Sequence, residues 1–326
     1  MQKCTPKVSI IICNYNYGRM LSDAIESTLA QDYPFVETIV VDDGSTDNSR
    51  EVIARYPTVK AIFKVNGGQT SAVRAGLERA SGDIILILDS DDMLKPQACS
   101  TIAKHWCADL SLLQFRLEKQ NLERKVVGYY PDQSFLYGDE KEFVLKYGYI
   151  PSSPTSGNAF SRQHIIESFK YNLDRDRACV DGYLIFTAPL VGRVLSLDEI
   201  LGIYRVHDAN FTGGRNNLRR LKNYIVLNLD HCSGLAQRAK MLSLSNKRPR
   251  DYLNPYCWRA ILLLKKGYPR EPEATDYTTF EIVRKGISAF LRFPRISIRR
   301  RCANVATLLA LAMGPSALAR LFVSIR

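Results

Sequence analysis

An α/β domain built on a mainly parallel sheet, with a helical C-terminal extension, is the fold class this sequence predicts. Three observations carry the prediction. Apolar runs of strand length, such as Ile84–Leu88, alternate with segments of helical spacing through the first third of the chain. Two of these runs end in acidic clusters, Asp42-Asp43 and Asp89-Ser90-Asp91-Asp92. Beyond Arg215 the chain reads as helices.

The elements follow in order. Lys7–Cys13 is a first strand, and Leu21, Ala24, Ile25 and Leu29 fall at helical spacing in Arg19–Gln31, which Pro34 ends. Glu37–Val41 is a second strand. Ser45, Thr46 and Asp47 are good caps for a helix carrying Val52, Ile53 and Tyr56. A third strand covers Val59–Lys64. The loop Asn66-Gly67-Gly68 leads into a helix over Thr70–Ala80, with Gly82 suited to its C-terminal cap. Ile84–Leu88 follows, and this β-α-β-α-β-α-β order predicts right-handed crossovers. A helix runs from Pro96 to His105 or Cys107, then a strand over Leu110–Leu117. Leu117–Tyr149 has weak periodicity and reads as a loop and helix insertion. Pro151–Pro154 is a turn, Gln163–Phe169 a helix, Asn172–Arg177 a polar loop, Asp181–Val191 a helix and Arg193–Leu197 a strand. The boundaries expected are a first domain over residues 1–210 and a helical region over 211–326.

The bulk properties narrow the function. The chain has 326 residues and a formal net charge of +12, which calls for an anionic partner or surface. Nucleic acid, lipid headgroups and anionic substrates all fit that charge. No nucleic-acid-binding motif appears, and the acids line the predicted crevice, so nucleic acid is set aside. No GxGxxG or GxxxxGK[ST] is present, which argues against dinucleotide-binding and P-loop folds. The eight cysteines form no C-x-x-C pair or zinc spacing and read as reduced thiols in a cytosolic protein. The start, MQKCTPKVSIII, turns strand-like too early for a secretory signal, so Asn210-Phe211-Thr212 is treated as a chance sequon. Ala303–Ala319 is apolar but short for a span and broken by Gly314-Pro315. With the basic run Arg292–Arg301 ahead of it, it suits an anionic membrane surface or a packed helix with a solvated basic face.

The acidic clusters carry the chemistry. Carboxylates at the C-terminal ends of neighbouring parallel strands lie where an open α/β sheet exposes its ligand crevice. Three carboxylates within four residues repel one another without a cation. Mg²⁺ or Mn²⁺, which prefer oxygen ligands and bridge carboxylates to phosphates, would relieve that repulsion. A metal–diphosphate site is the inference, weighed against a plain polar turn after each strand.

KVSIIICNYN, VVDDGSTD, NGGQTSAVRAGLERASGD, LDSDD and YRVHDAN, in this order and spacing, resemble a family 2 glycosyltransferase of the GT-A fold, bacterial in type, over residues 6–210. The resemblance implies sugar transfer from a nucleotide diphosphate sugar, with a UDP-sugar the first expectation, to a carbohydrate or lipid-linked acceptor. It places Asp43, Asp89, Cys13, Asn16 and Gln69 at the nucleotide, Asp91 and His207 on the metal, and Ser156 and Asn158 near the acceptor or donor sugar. Asp92 is expected to support the metal ligands or cap a helix, and Arg205 to pair with phosphate or a carboxylate. Family members carry a Glu-Asp pair about ninety residues after the metal motif; here it reads Val180-Asp181, and Asp181 is the candidate base. Cys13 stands where a small polar residue is usual. No Q-x-x-R-W segment occurs, and Trp106 and Trp258, the two tryptophans, do not supply one, which argues for single-sugar rather than processive transfer. The reading is an inverting, metal-dependent enzyme of cell-surface polysaccharide or glycolipid assembly, cytoplasmic and at the inner membrane face through its basic C-terminal region. The alternative is a non-catalytic nucleotide-sugar-binding or scaffold protein that keeps the fold.

Overall fold

The computed structural model describes residues 5–170, 180–207, 210, 218–269, 277–293, 297–316 and 319. The loop expected at Asn172–Arg177, and Phe211 and Thr212 of the sequon, lie outside them. The chain divides into two compact units, Met1–Lys141 with Ile150–Val206, and Glu142–Tyr149 with His207–Arg326. Neither unit is a single stretch of sequence, unlike the contiguous domains expected.

The first unit holds β1 (Val8–Asn14), α1 (Gly18–Leu29), β2 (Val36–Asp42), α2 (Ser49–Ala54), β3 (Lys60–Phe63), α3 (Gln69–Arg79) and β4 (Ile84–Asp89). It continues through β5 (Met93–Leu94), α4 (Ala98–His105), β6 (Leu110–Asn121) and β7 (Val126–Tyr130). α5 (Glu140–Tyr147) lies mostly in the second unit; β8 (Asn158–Ser161), α6 (Arg162–Lys170), α7 (Val180–Val191) and β9 (Arg193–Val206) complete the first. The strands form one sheet in the order β3-β2-β1-β4-β8-β6-β9-β5, with β7 paired to β6. β3, β2, β1 and β4 are mutually parallel, β6 and β9 are parallel, and β8 is antiparallel to both β4 and β6.

The central strands are apolar on both faces because helices cover both. Ile10, Ile11, Ile12, Val40 and Ile84–Leu88 have no exposed surface. The insertion expected after Leu117 is partly a hairpin: β6 runs on to Asn121 and returns as β7. β7 exposes Val126, Val127 and Tyr129, so it lacks the inside–outside alternation that marks a strand in sequence. Gly82 is not the cap of α3, which ends at Ala80 in extended backbone. Gly82 is needed for close approach, since a Cβ there would meet Ser9 Oγ at 2.6 Å and Lys7 O at 2.7 Å. The cap of α2 is Asn48, while Asp47 accepts bonds from Ser49 and Gly18.

Glu37 fastens the opposite end of the sheet. Its side chain accepts from Ser9 Oγ at 2.5 Å, Ser81 N at 2.6 Å and Lys60 Nζ at 2.7 Å. Burial pushes its carboxyl up, but the bonds from Lys60, Ser9 and Ser81 outweigh it and hold the group well below the usual carboxylate range. A depressed folded value means the stabilisation is complete above the unfolded value of about 4.3 and is lost as pH falls through the folded one. Glu37→Gln is therefore expected to lower stability at pH 7 by about 1–2 kcal/mol, the lysine partners being half exposed. Urea unfolding should show the wild-type and variant values converging below pH 4.3 or so. A difference that stays constant into acid would refute this account.

The second unit contains residues 142–149, which carry most of α5, then α8 (Leu218–Met241), α9 (Pro255–Gly267), α10 (Thr279–Arg292) and α11 (Ile298–Met313). Trp258, Phe290, Ile282, Leu308 and Leu311 are buried in it. Tyr149 stacks on Phe293 at 4.8 Å between ring centroids, and Gly148 meets Tyr252, which is why this short segment groups with the C-terminal helices. Asn254 caps α9, and Thr278 with Glu281 forms a capping box on α10. Among the described residues no helix is long and apolar enough to cross a membrane.

Candidate active site

The strand order brings the two acidic clusters together. β1 lies between β2 and β4, so Asn14 pairs with Asp42 and Cys13 with Asp89 in adjacent registers. Both clusters therefore sit at the C-terminal edge of the parallel strands.

At the β2 end, Asp42 and Asp43 are both buried. Asp42 accepts from Asn14 Nδ2 at 3.1 Å. Asp43 accepts from Lys64 Nζ at 2.6 Å, Gly67 N at 3.0 Å and Gly68 N at 2.7 Å. Its carboxylate thus shapes the loop that opens α3, where Gly68 has a left-handed φ of 86°. Gln69, the first residue of α3, donates Nε2 to Asp89 Oδ1 at 2.8 Å, while its own buried Oε1 has no partner among the described residues. Asn16 ties β1 to the 45–46 loop: its N–H donates to Ser45 Oγ at 2.9 Å and its Oδ1 accepts from Thr46 N at 2.8 Å. Burial, then Asp89 and Asp43, push the Cys13 thiol well up, so it stays protonated.

At the β4 end, one carboxylate oxygen from each of Asp89, Asp91 and Asp92 lies within 4.8 Å of the others. Burial pushes Asp89 up to about 8, with Asp91 and Asp181 adding to the shift and bonds from Thr155 and Gln69 opposing it. Burial, Asp91 and Asp89 likewise raise Asp92 well above the usual range. Tyr17, unnoticed in sequence, is raised to about 12 by burial and by the same three acids. The donor set fits a hard divalent cation. Bonds of about 2.1 Å put opposite ligands about 4.2 Å apart, close to the observed spread, and a positive charge would relieve the crowding that raises these groups.

The cluster rests on a clasp from distant sequence. Asp92 has no exposed surface; it accepts from Ser156 Oγ at 2.7 Å and from Arg205 N at 3.0 Å. The Arg205 guanidinium bonds Asp91 O, Asp23 at 2.6 Å and Met20 O at 2.9 Å. Arg205 thus pairs with a carboxylate, and Asp92 does not cap α4, whose cap is Gln97. Ser156 and Asn158, expected beside a sugar, are fully buried. Ser156 is spent on Asp92 and on Asp89 N at 3.2 Å; Asn158 Nδ2 holds the 153–154 turn through Ser153 O and Pro154 O. Without accessible surface, neither meets a sugar in this conformation.

Asp181 lies in the first turn of α7, after a fully buried Val180. It accepts from Thr155 Oγ1 at 3.0 Å and Gly182 N at 2.8 Å. Asp181 raises the Asp89 carboxyl through its charge and Thr155 lowers it, so the candidate base lies close to the acid cluster. Thr155 could have been suspected from its place in TSGNAF; Asp23 and Tyr17 carry no such signal. His207 belongs to the second unit, where it is buried, with its N–H on Asn210 Oδ1 at 2.6 Å and its Nε2 3.2 Å from Asn210 Nδ2.

Comparison with known proteins bears on this geometry. The model of glycosyl transferase family 2 matches residues 9–168. An uncharacterized glycosyltransferase of Nostoc sp. is 36% identical over 216 residues, covering 63% of this chain and 66% of that protein. Chondroitin synthase of Pasteurella multocida is 39% identical over 111 residues, covering 33% of this chain and 12% of that protein. The chain thus spans less than two thirds of the length of these relatives. Among solved structures, S. aureus TarS 1–349 in complex with UDP-GlcNAc has a TM-score of 0.59 at 15% identity, covering 98% of this chain and 93% of that one. That likeness shows the fold, the GT-A fold that the motifs predict.

Proposed function

This chain belongs to glycosyl transferase family 2, and from that premise we propose that it moves one sugar from a nucleotide diphosphate sugar to an acceptor hydroxyl, with inversion. The observation that carries the proposal is the closeness of Asp181, held by Thr155, to Asp89, which sets a carboxylate base beside a metal-competent acid cluster.

Asp89, Asp91 and Asp92 would hold Mg²⁺ or Mn²⁺, whose chemistry is to neutralise charge on the leaving diphosphate. Gln69, partly exposed and bonded through Nε2 to Asp89, would line the nucleoside side of the donor site. UDP is the first expectation for the nucleotide, since the fold neighbour above was solved with UDP-GlcNAc. Asp43, saturated by Lys64 and the 67–68 amides, orders the loop that presents Gln69, and Asn16 and Cys13 form the adjoining wall. Asp181 takes the acceptor proton as the acceptor oxygen bonds the anomeric carbon. The carbon–oxygen bond to the diphosphate breaks on the opposite face, which inverts the centre. Thr155 holds Asp181 in place, Ser156 braces Asp92 from within, and Asn158 holds the 153–154 turn beneath them.

A thermal-shift panel of UDP, GDP and TDP, each with Mn²⁺ and with EDTA, tests the donor site. One nucleotide should raise the melting temperature only with metal, and Asp91→Asn should lose that shift. No shift with any nucleotide would favour the non-catalytic reading. A cytoplasmic role at an anionic membrane face in glycan or glycolipid assembly is supported by exposed Ile298, Arg299 and Arg300 at the start of α11. Flotation with phosphatidylglycerol vesicles that survives Arg299→Gln/Arg300→Gln would remove that contact.

A further inference from the structure

A cleft of about 710 Å³ lies within the second unit, lined by α5, α9, α10 and the segment leading to α9. Its cations are Lys146, Lys247, Arg284, Lys285 and Arg292; its one carboxylate is Asp251. Asp251 is already shared by Lys285 at 3.3 Å and Arg248 at 3.5 Å. Among the described residues, no ion pair engages Lys146, Lys247, Arg284 or Arg292.

The cations are arranged rather than scattered. Arg284, Ser288 and Arg292 are spaced i, i+4 and i+8, so they form one stripe along α10. Lys247 is anchored, donating Nζ to Leu145 O at 2.6 Å at the C-terminal end of α5, where it adjoins Lys146. Burial holds the Lys247 ammonium below its usual range; Asp251 opposes this and the like charge of Lys146 adds to it. Lys285 lies 5.5 Å from the ring centroid of Trp258. Like charges gathered in a concave site focus a positive potential and destabilise one another until an anion arrives. Guanidinium forks and a hydroxyl on one stripe match phosphate oxygens. The cleft is far larger than a phosphate ion and is walled in part by Tyr147, Leu253 and Phe293, so the ligand carries an organic body.

We propose that this cleft is a binding site for phosphate esters, separate from the acid cluster of the first unit. It does not depend on the transfer reaction proposed above.

The test uses the full-length chain with Trp106→Phe, so that Trp258 in the cleft wall is the sole tryptophan. EDTA is present to remove divalent metal from the acid cluster. Glycerol 3-phosphate is titrated against Trp258 emission, with glycerol as the control. Vesicles of phosphatidylcholine with and without phosphatidic acid form the second arm. The expected result is a saturable change that Arg284→Gln/Arg292→Gln weakens at least tenfold; both side chains are exposed, so the fold should tolerate the change. The metal-dependent nucleotide shift should be the same in this variant. A response to glycerol 3-phosphate identifies a soluble ester as sufficient; a response to phosphatidic acid alone identifies a lipid headgroup. No response in either arm, or responses equal in the variant or with the neutral controls, overturns the proposal.

Discussion

Asp181→Asn is expected to lower kcat by about 10²–10⁴-fold, the usual contribution of a positioned general base, with nucleotide binding intact. The substitution is nearly isosteric. The amide oxygen can keep the bond from Gly182 N, and the amide Nδ2 can donate to Thr155 Oγ1 where the carboxylate accepted from it, so the first turn of α7 keeps its contacts. What disappears is a basic oxygen for the acceptor proton. It also removes a negative charge that helps to raise Asp89, so donor and metal binding should hold or tighten slightly. Single-turnover transfer measured beside the thermal shift separates the two effects. Transfer within twofold of wild type would strip Asp181 of its role. Loss of both transfer and nucleotide shift would mean that the substitution damaged the site instead. Thr155→Val gives a finer comparison: it removes the hydroxyl that holds Asp181 but leaves the base, and should cost less turnover than Asp181→Asn.

Where one segment decides the structure, the sequence was readable. Ile39–Val41 and Ile84–Leu88 are apolar without a break because they are buried, and the acids that follow them mark the crevice in any parallel arrangement. Features that depend on remote partners were not readable. Family resemblance put Ser156 near a sugar, yet its hydroxyl is buried under Asp92, 64 residues away in sequence. Arg205 meets Asp23 across 182 residues, and no local pattern announces such a pair. β7 was missed because its Val126, Val127 and Tyr129 are exposed, and Gly82 was misread as a cap because its reason, Ser9 Oγ and Lys7 O, lies in another strand. Asp181 was placed through family resemblance; the residue alone looks like any acid in a first helical turn. The apolar Val180 before it is now accounted for locally, because that position has no exposed surface.

Arg205→Met is expected to weaken both the fold and the metal site, and the two effects have different origins. Methionine fills much of the same path through the core, so packing is largely kept. The bonds from the guanidinium to Asp23, Met20 O and Asp91 O are lost. Stranding one member of a fully buried pair costs about 3–5 kcal/mol; Asp23 is a third exposed and can rehydrate, so about 2–3 kcal/mol is expected here. The functional effect comes through Asp91, whose carbonyl loses the group that fixes the 89–92 turn. Partners that orient metal ligands are commonly worth about 10–100-fold in metal affinity, and a loss in that range is expected for Mn²⁺. Arg205→Lys should recover part of the stability by pairing with Asp23, but little of the metal affinity, since one ammonium cannot span Asp23 and Asp91 O as the fork does. Urea unfolding and Mn²⁺ titration on the same proteins separate the outcomes. Lower stability with unchanged Mn²⁺ affinity would make Arg205 a brace of the fold alone. A parallel fall in both, with lysine restoring only the first, would establish it as the residue that positions the acid cluster.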